Sequence, residues 1–180
     1  MSVISAILSW IAGLFGGARD TSTFSVHERP SPHFSPRRGS EISMVIIHGD
    51  AGRTDEGTIS WIQDPASKVS YHYFIGRDGR IYQFVEDEMK AWHAGFSHWH
   101  GREVGNSVNP ISIGVCFAND GTGDEPYRPI QYREGAKLVR SIMDEHGVHH
   151  LDILGHHQVS PGRKTDPWSY FDWDHFLSLL

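Results

Sequence analysis

The run Met44-Val45-Ile46-Ile47-His48 constrains the fold more than any other feature of the chain. Four apolar residues follow one another without the polar alternation of a half-exposed strand. A strand of this kind is buried on both faces, which requires a sheet covered from two sides. We read residues 42–48 as that strand. It ends at a histidine and leads into the polar loop Gly49-Asp50-Ala51-Gly52-Arg53.

The rest of the chain supplies the cover. Residues 69–75 (VSYHYFI) and 81–85 (IYQFV) flank Arg77-Asp78-Gly79-Arg80 and predict a hairpin. Alternation along the first of these runs puts Tyr71 and Tyr73 on one face and His72 on the other. Residues 111–118 predict a second core strand containing Cys116, and Ile153-Leu154 a last short one. A short helix is expected over 58–63, capped by Thr58 and stopped by Pro65. A long one is expected from Pro129 to His146, with Tyr132, Ala136, Val139 and Met143 at helical spacing and Gly147 at its end. Residues 172–180 predict a terminal helix capped by Asp172. The expected fold class is mixed α/β, a central mixed sheet flanked by helices in a single domain over 42–180.

Two segments precede that domain. Residues 1–17 (MSVISAILSWIAGLFGG) carry no charged side chain, and Ile4, Ile7, Leu8, Ile11, Leu14 and Phe15 fall at helical spacing. The run is shorter than the roughly 20 apolar residues a bilayer span needs. Three readings stay open for it: a helix packed on the domain or on a second copy, a membrane-surface helix, and an export signal. Residues 18–41 are rich in Pro and Ser and read as a linker or strap without regular structure, leaving His27 and His33 solvated.

Composition narrows the chemistry. A formal net charge of −6 argues against nucleic acid as a partner. The single cysteine, Cys116, rules out an internal disulfide and a multi-cysteine zinc site. Thirteen histidines in 180 residues point instead to metal or proton chemistry. His48 and His156 both follow predicted strands, and Asp166 comes ten residues after His156. Two imidazoles and a carboxylate would give zinc three ligands and leave a fourth position for water. The residues alone leave open that each histidine is a hydrogen-bonded structural group, and no His-Glu-x-x-His helix is present.

In order along the chain stand VIIH at 45–48, VSYHYFIGRDGRIYQ at 69–83, AWHAG at 91–95, SIGVCF at 112–117 and GHHQVSPGRKTDP at 155–167. This series resembles the type 2 N-acetylmuramoyl-L-alanine amidases, from about Met44 to Trp173. That zinc family includes phage lysozyme-like amidases, muropeptide-recycling amidases and peptidoglycan recognition proteins. The resemblance implies one Zn2+ held by His48, His156 and Asp166. The adjacent His157 is set aside because neighbouring strand residues face opposite ways. It further implies Lys164 as the group facing the oxyanion and Tyr71 as the group orienting water or donating a proton. Without the resemblance, Tyr71 reads as hairpin packing. His93, Trp92 and Trp99, around AWHAG, are expected to contact substrate, with core packing as the alternative for Trp92. His146, His149 and His150 have no counterpart in the motif and read as solvated or structural.

Two positions depart from the pattern. Cys116 stands where recycling-like members carry a glutamate, and a thiol with an ordinary pKa near 8.5 is a poor replacement, so it reads as a small core residue. Trp168 stands where a glycine often follows Asp-Pro. The implied activity is hydrolysis of the lactyl–L-Ala amide of peptidoglycan or muropeptides. The apolar N-terminus favours a wall-lysing endolysin with membrane-surface contact through residues 1–17. The alternatives are a non-catalytic peptidoglycan-binding module and a cytoplasmic recycling amidase.

Overall fold

The computed structural model describes residues 24–180, so the expectation for residues 1–17 lies outside the described residues. In chain order the elements are β1 (Val26–Glu28), β2 (Phe34–Pro36), β3 (Met44–Gly49), α1 (Asp55–Gln63), β4 (Tyr73–Ile75), β5 (Ile81–Gln83), β6 (Met89–Ala91), β7 (Ser112–Phe117), α2 (Pro129–His146), β8 (Ile153–Gly155), α3 (His156–Val159) and α4 (Trp173–Ser178). Six strands form a mixed sheet in the order β1-β5-β4-β7-β3-β8, and β2 pairs with β6 separately.

The uninterrupted apolar run lies where its composition demands. All six residues of β3 are buried, and β3 runs parallel to β7 on one side and β8 on the other. Val45 and Ile47 face the same way as Ile113, Val115 and Phe117, against Leu138, Val139 and Ile142 of α2 and Phe176 of α4. Met44 and Ile46 face the opposite way, with Ala94, Leu154 and Val159. By the period of two, His48 belongs to this second face, in register with Cys116. β4 and β5 form the predicted hairpin, Phe74 opposite Tyr82. α2 has its predicted limits, and Gly147 ends it at φ 67°, its N–H on the Met143 carbonyl. α4 is capped by Asp172, whose carboxylate accepts from His175 N at 2.9 Å. Among the described residues no helix is long and apolar enough to cross a membrane.

Four local expectations are corrected. The strap contains regular structure: β1 extends the main sheet beside β5, and β2 pairs antiparallel with β6, itself unforeseen. Strand pairing needs only free backbone groups, so polar composition did not prevent it. His33 in this strap is buried, not solvated, with Nε2 2.8 Å from the Asp64 carbonyl. Arg37 is also buried, donating to the carbonyls of Asp87 (2.7 Å), Pro110 (2.7 Å) and Ser112 (2.9 Å). The first helix starts earlier than predicted, with Thr54 as its cap, while Thr58 lies inside it and donates to Asp50. Finally, Tyr71 and Tyr73 do not share a face. The chain bends at His72 before β4 begins, so Tyr73 enters the α2 side while Tyr71 packs beside Phe74 and Cys116.

Candidate metal centre and groove

His48 reaches the centre from the C-terminal end of β3. The chain leaves β8 at Gly155 and turns directly into α3, whose first residue is His156. The loop after α3 folds back, His157 N donating to the Asp166 carbonyl at 3.0 Å, and returns Asp166 to the same point. His48 Nδ1 lies 3.1 Å from His156 Nδ1 and 3.2 Å from Asp166 Oδ2, and His156 Nδ1 lies 3.1 Å from that oxygen. All three residues are buried. His156 is the inward residue as expected, but helical turning and not strand alternation separates it from His157. The His157 ring sits outward, with Nδ1 3.2 Å from the Asp166 carbonyl.

These atoms fit a zinc ion. His156 Nε2 lies 3.2 Å from the Ala94 carbonyl, which can only accept, so the His156 proton sits on Nε2 and Nδ1 offers a lone pair. Zinc bonds of about 2.0–2.1 Å in a tetrahedral site space ligand atoms about 3.3 Å apart, and the three atoms here stand 3.1–3.2 Å apart. Burial, reinforced by the neighbouring His156, brings the His48 imidazole down to about 4, so it is neutral at pH 7. Burial pushes the Asp166 carboxyl up, but the two imidazoles outweigh it and hold the group well below the usual carboxylate range.

Among the expected catalytic residues, Tyr71 lies beside the centre, its ring centroid 5.1 Å from that of His48. Its hydroxyl pairs with the Cys116 thiol; burial raises both groups well above their ordinary values, so both stay protonated. Lys164 is exposed on the loop between α3 and Asp166, close enough for its charge to lower the His48 pKa.

The three residues expected to contact substrate take different positions. His93 is buried behind His48, with Nδ1 3.0 Å from His48 Nε2. Trp92 holds the strap: its ring centroid is 5.5 Å from that of His33 and its Nε1 donates to Ser35 Oγ at 3.1 Å. Trp99 packs on the core face of Met44 and Ile46. Of the trio set aside, His146 pairs with Asp87 at 3.0 Å, while His149 and His150 are exposed. Trp168 adopts φ 66°, a backbone state that suits glycine, and lays its ring over Gly49 and Gly121.

A groove of about 370 Å³ leaves the centre at Tyr71 and follows α1, lined by Asp50, Arg53, Thr54, Trp61 and Val69. Trp61 is 54% exposed, unusual for a tryptophan on a packed helix. Asp50 is fully engaged, accepting from Asn119 N at 2.7 Å and from the Thr58 hydroxyl. Sequence reading had the Gly49–Arg53 stretch only as a polar loop. Its role as a groove wall depends on the placement of α1, for which Trp61 was the one available signal.

The family model described as N-acetylmuramoyl-L-alanine amidase matches residues 38–169. The 1,6-anhydro-N-acetylmuramyl-L-alanine amidase AmpD of Escherichia coli K12 is 33% identical over 169 residues, covering 84% of this chain and 90% of the relative. A crystal structure of a selenomethionine derivative of AmpD superposes with a TM-score of 0.73 at 30% identity, covering 86% of this chain and 94% of that one. The E. coli amidase AmiD, solved with anhydro-N-acetylmuramic acid-L-Ala-D-γ-Glu-L-Lys, gives a TM-score of 0.69 at 26% identity over 81% of this chain and 58% of that one. The residues matched by the family model include β3 to α3 and the positions of His48, His156 and Asp166. The chain belongs to the type 2 N-acetylmuramoyl-L-alanine amidase family and is an amidase.

Proposed function

We propose that this enzyme is a zinc-dependent amidase that cleaves the lactyl–L-Ala bond of soluble 1,6-anhydro-muropeptides, with His48, His156 and Asp166 holding the metal. The observation that carries the reading is the convergence of three buried acceptor atoms 3.1–3.2 Å apart, beside an open groove. When bound, zinc would supply a water with a pKa near 7 and a Lewis acid for the amide carbonyl.

The chain's own groups divide the remaining work. Tyr71, kept protonated by burial, donates a hydrogen bond to an oxygen of the tetrahedral intermediate or steers the attacking water. Cys116 cannot replace a glutamate base, because its thiol is held protonated, and it serves Tyr71 as a hydrogen-bond partner. The Lys164 ammonium stabilises negative charge developing on the carbonyl oxygen. In the groove, Trp61 and Val69 offer apolar wall to a stem peptide, and Arg53 offers a cation to its carboxylates.

The recycling reading is preferred to wall lysis because relatives of this length, matched nearly end to end, are named for the anhydro-muropeptide bond. Its natural compartment is the cytoplasm, where soluble muropeptides are processed. The test is chromatography of products from anhydro-muramyl tripeptide and from purified cell wall, with zinc and with chelator. We expect rapid, chelator-sensitive release of tripeptide from the soluble substrate. Cleavage confined to intact wall would establish the endolysin reading instead, and wall binding without any cleavage the recognition module.

A further inference from the structure

A second layer of residues behind His48 has its proton positions fixed by chemistry. The Val108 carbonyl can only accept, and Ser112 Oγ lies 2.8 Å from it, so the single hydroxyl proton of Ser112 is committed there. Ser112 Oγ is also 3.1 Å from His93 Nε2, and this second contact therefore needs a proton on the nitrogen. A neutral imidazole has one N–H, so His93 Nδ1 is an acceptor. That atom lies 3.0 Å from His48 Nε2, which accordingly carries the His48 proton. What remains on His48 is a bare lone pair at Nδ1, the atom facing His156 and Asp166.

The surroundings keep this order from reversing. The titratable and charged groups around His93 are His48, His72, His156 and Arg37, none of which carries the negative charge that would stabilise an imidazolium there. His72 is committed elsewhere: Nδ1 accepts from Gly114 N at 2.9 Å, and Nε2 faces the Met89 carbonyl at 3.1 Å. The His93 ring is wedged against Gly114, where an added Cβ would stand 2.6 Å from His93 Cγ. Ser112 is two residues from Gly114 on the same face of β7, and its carbonyl is pinned by Arg37 at 2.9 Å. The next residue after His93, Ala94, orients the other imidazole through its carbonyl, 3.2 Å from His156 Nε2.

We propose that Ser112 and His93 are positioning residues, a relay of fixed proton polarity from the Val108 carbonyl that presents His48 Nδ1 to the metal as a lone pair. The inference rests on the reading of His48 as a metal ligand. Two measurements test it. In zinc-free protein labelled with 15N at histidine, long-range 1H–15N correlations report each tautomer; His48 and His93 should both carry their proton on Nε2. A dominant Nδ1–H form at either residue overturns the relay. Ser112→Ala should weaken zinc binding about 10–100-fold in chelator competition and mix the His93 tautomers. Unchanged affinity with unchanged tautomers removes Ser112 from the relay. Should Ser112→Ala not fold, the wild-type spectrum alone decides. A wild-type protein that binds no zinc defeats the proposed function, while the tautomers are still read from the same spectrum.

Discussion

Gly114 offers the sharpest test of how the centre is supported. An alanine there would place Cβ 2.6 Å from His93 Cγ, 2.8 Å from Nδ1 and 2.9 Å from Cδ2. Cγ is the inner atom of the ring and cannot swing away at a free end. Reaching ordinary contact moves the ring by about 0.9 Å, since comfortable carbon contacts begin near 3.5 Å. The His93–His48 hydrogen bond is 3.0 Å long, so a shift of that size consumes the whole margin before a contact near 3.6 Å stops being a bond. Overpacking costs about 1–3 kcal/mol, and a buried His48 N–H left without a partner costs about 1–3 kcal/mol more. For a chain of this length, Gly114→Ala should lower Tm by roughly 4–24 °C and weaken zinc about 10–100-fold. Ile113→Val is the control. Its side chain is fully buried on the α2 face, away from the histidines, and the change costs about 0.5–1.5 kcal/mol with zinc affinity untouched. Thermal unfolding and chelator competition on both variants give the comparison. Wild-type zinc affinity in Gly114→Ala would refute the argument that His93 holds His48 in place.

Other outcomes follow from the same geometry. Zinc at a thousandfold excess over its Kd should stabilise the wild type by about 4 kcal/mol, a rise in Tm of roughly 8–16 °C read by calorimetry. Asp166→Ala should abolish that rise, and a retained rise removes Asp166 from the ligand set. Lys164→Ala should cut turnover on the order of 10²–10³-fold with zinc content unchanged by metal analysis, and Tyr71→Phe about 10²-fold or more. Wild-type turnover in either refutes that role. Acid should destabilise the zinc-free protein early. His48, lowered by burial and then by His156 from 6.5 to about 4, binds fewer protons folded than unfolded throughout that window. Stability is therefore full above pH 6.5 and falls on the way to pH 4, by about 3 kcal/mol from His48. His93 shifts the same way, and Asp166 acts only at lower pH. Urea unfolding at pH 7 and pH 4.5 measures the loss, and equal stabilities contradict the buried neutral imidazole.

What the sequence disclosed depended on whether one segment's own pattern was sufficient. The apolar runs of β3 and β7 and the spacing of α2 carry their burial in themselves, so those elements lie where expected. The grouping of His48, His156 and Asp166 was legible only through the family resemblance of their motifs, and the structure brings the three side chains together. Groups whose roles are set by a partner far along the chain were not legible. His33 is buried because the strap is tied down, Ser70 Oγ bonding its carbonyl at 2.5 Å. His93 lies behind the centre because Gly114, 21 positions further along the chain, leaves room for its ring. Trp92 is a strap clamp because Ser35 lies across from it.

Tyr71 gives the most instructive failure, since it concerns the chemistry. Alternation sent it to the face of Tyr73, and on that face it would have been core. The rule holds only while the backbone stays extended, and the bend at His72 breaks it two residues before the centre is reached. Beyond the bend the phenol lies beside Cys116, which occupies the face of His48 by strict strand register. The thiol at 116 is shorter than a glutamate, and the Tyr71 ring packs against the same buried cluster, its hydroxyl held protonated by burial. The resemblance places a glutamate at position 116 in recycling-like members; here the Tyr71 hydroxyl is the protonated group beside that position. The pair Tyr71 and Cys116 is therefore one structural solution. Cys116→Glu alone should bury a third acid against Asp50 and Asp166, which already act on Cys116, and lower stability without raising turnover. Cys116→Glu combined with Tyr71→Ala should recover turnover relative to Tyr71→Ala alone. Steady-state kinetics on the three variants decide it: equal rates for the double variant and Tyr71→Ala would show that the two side chains do not share one task.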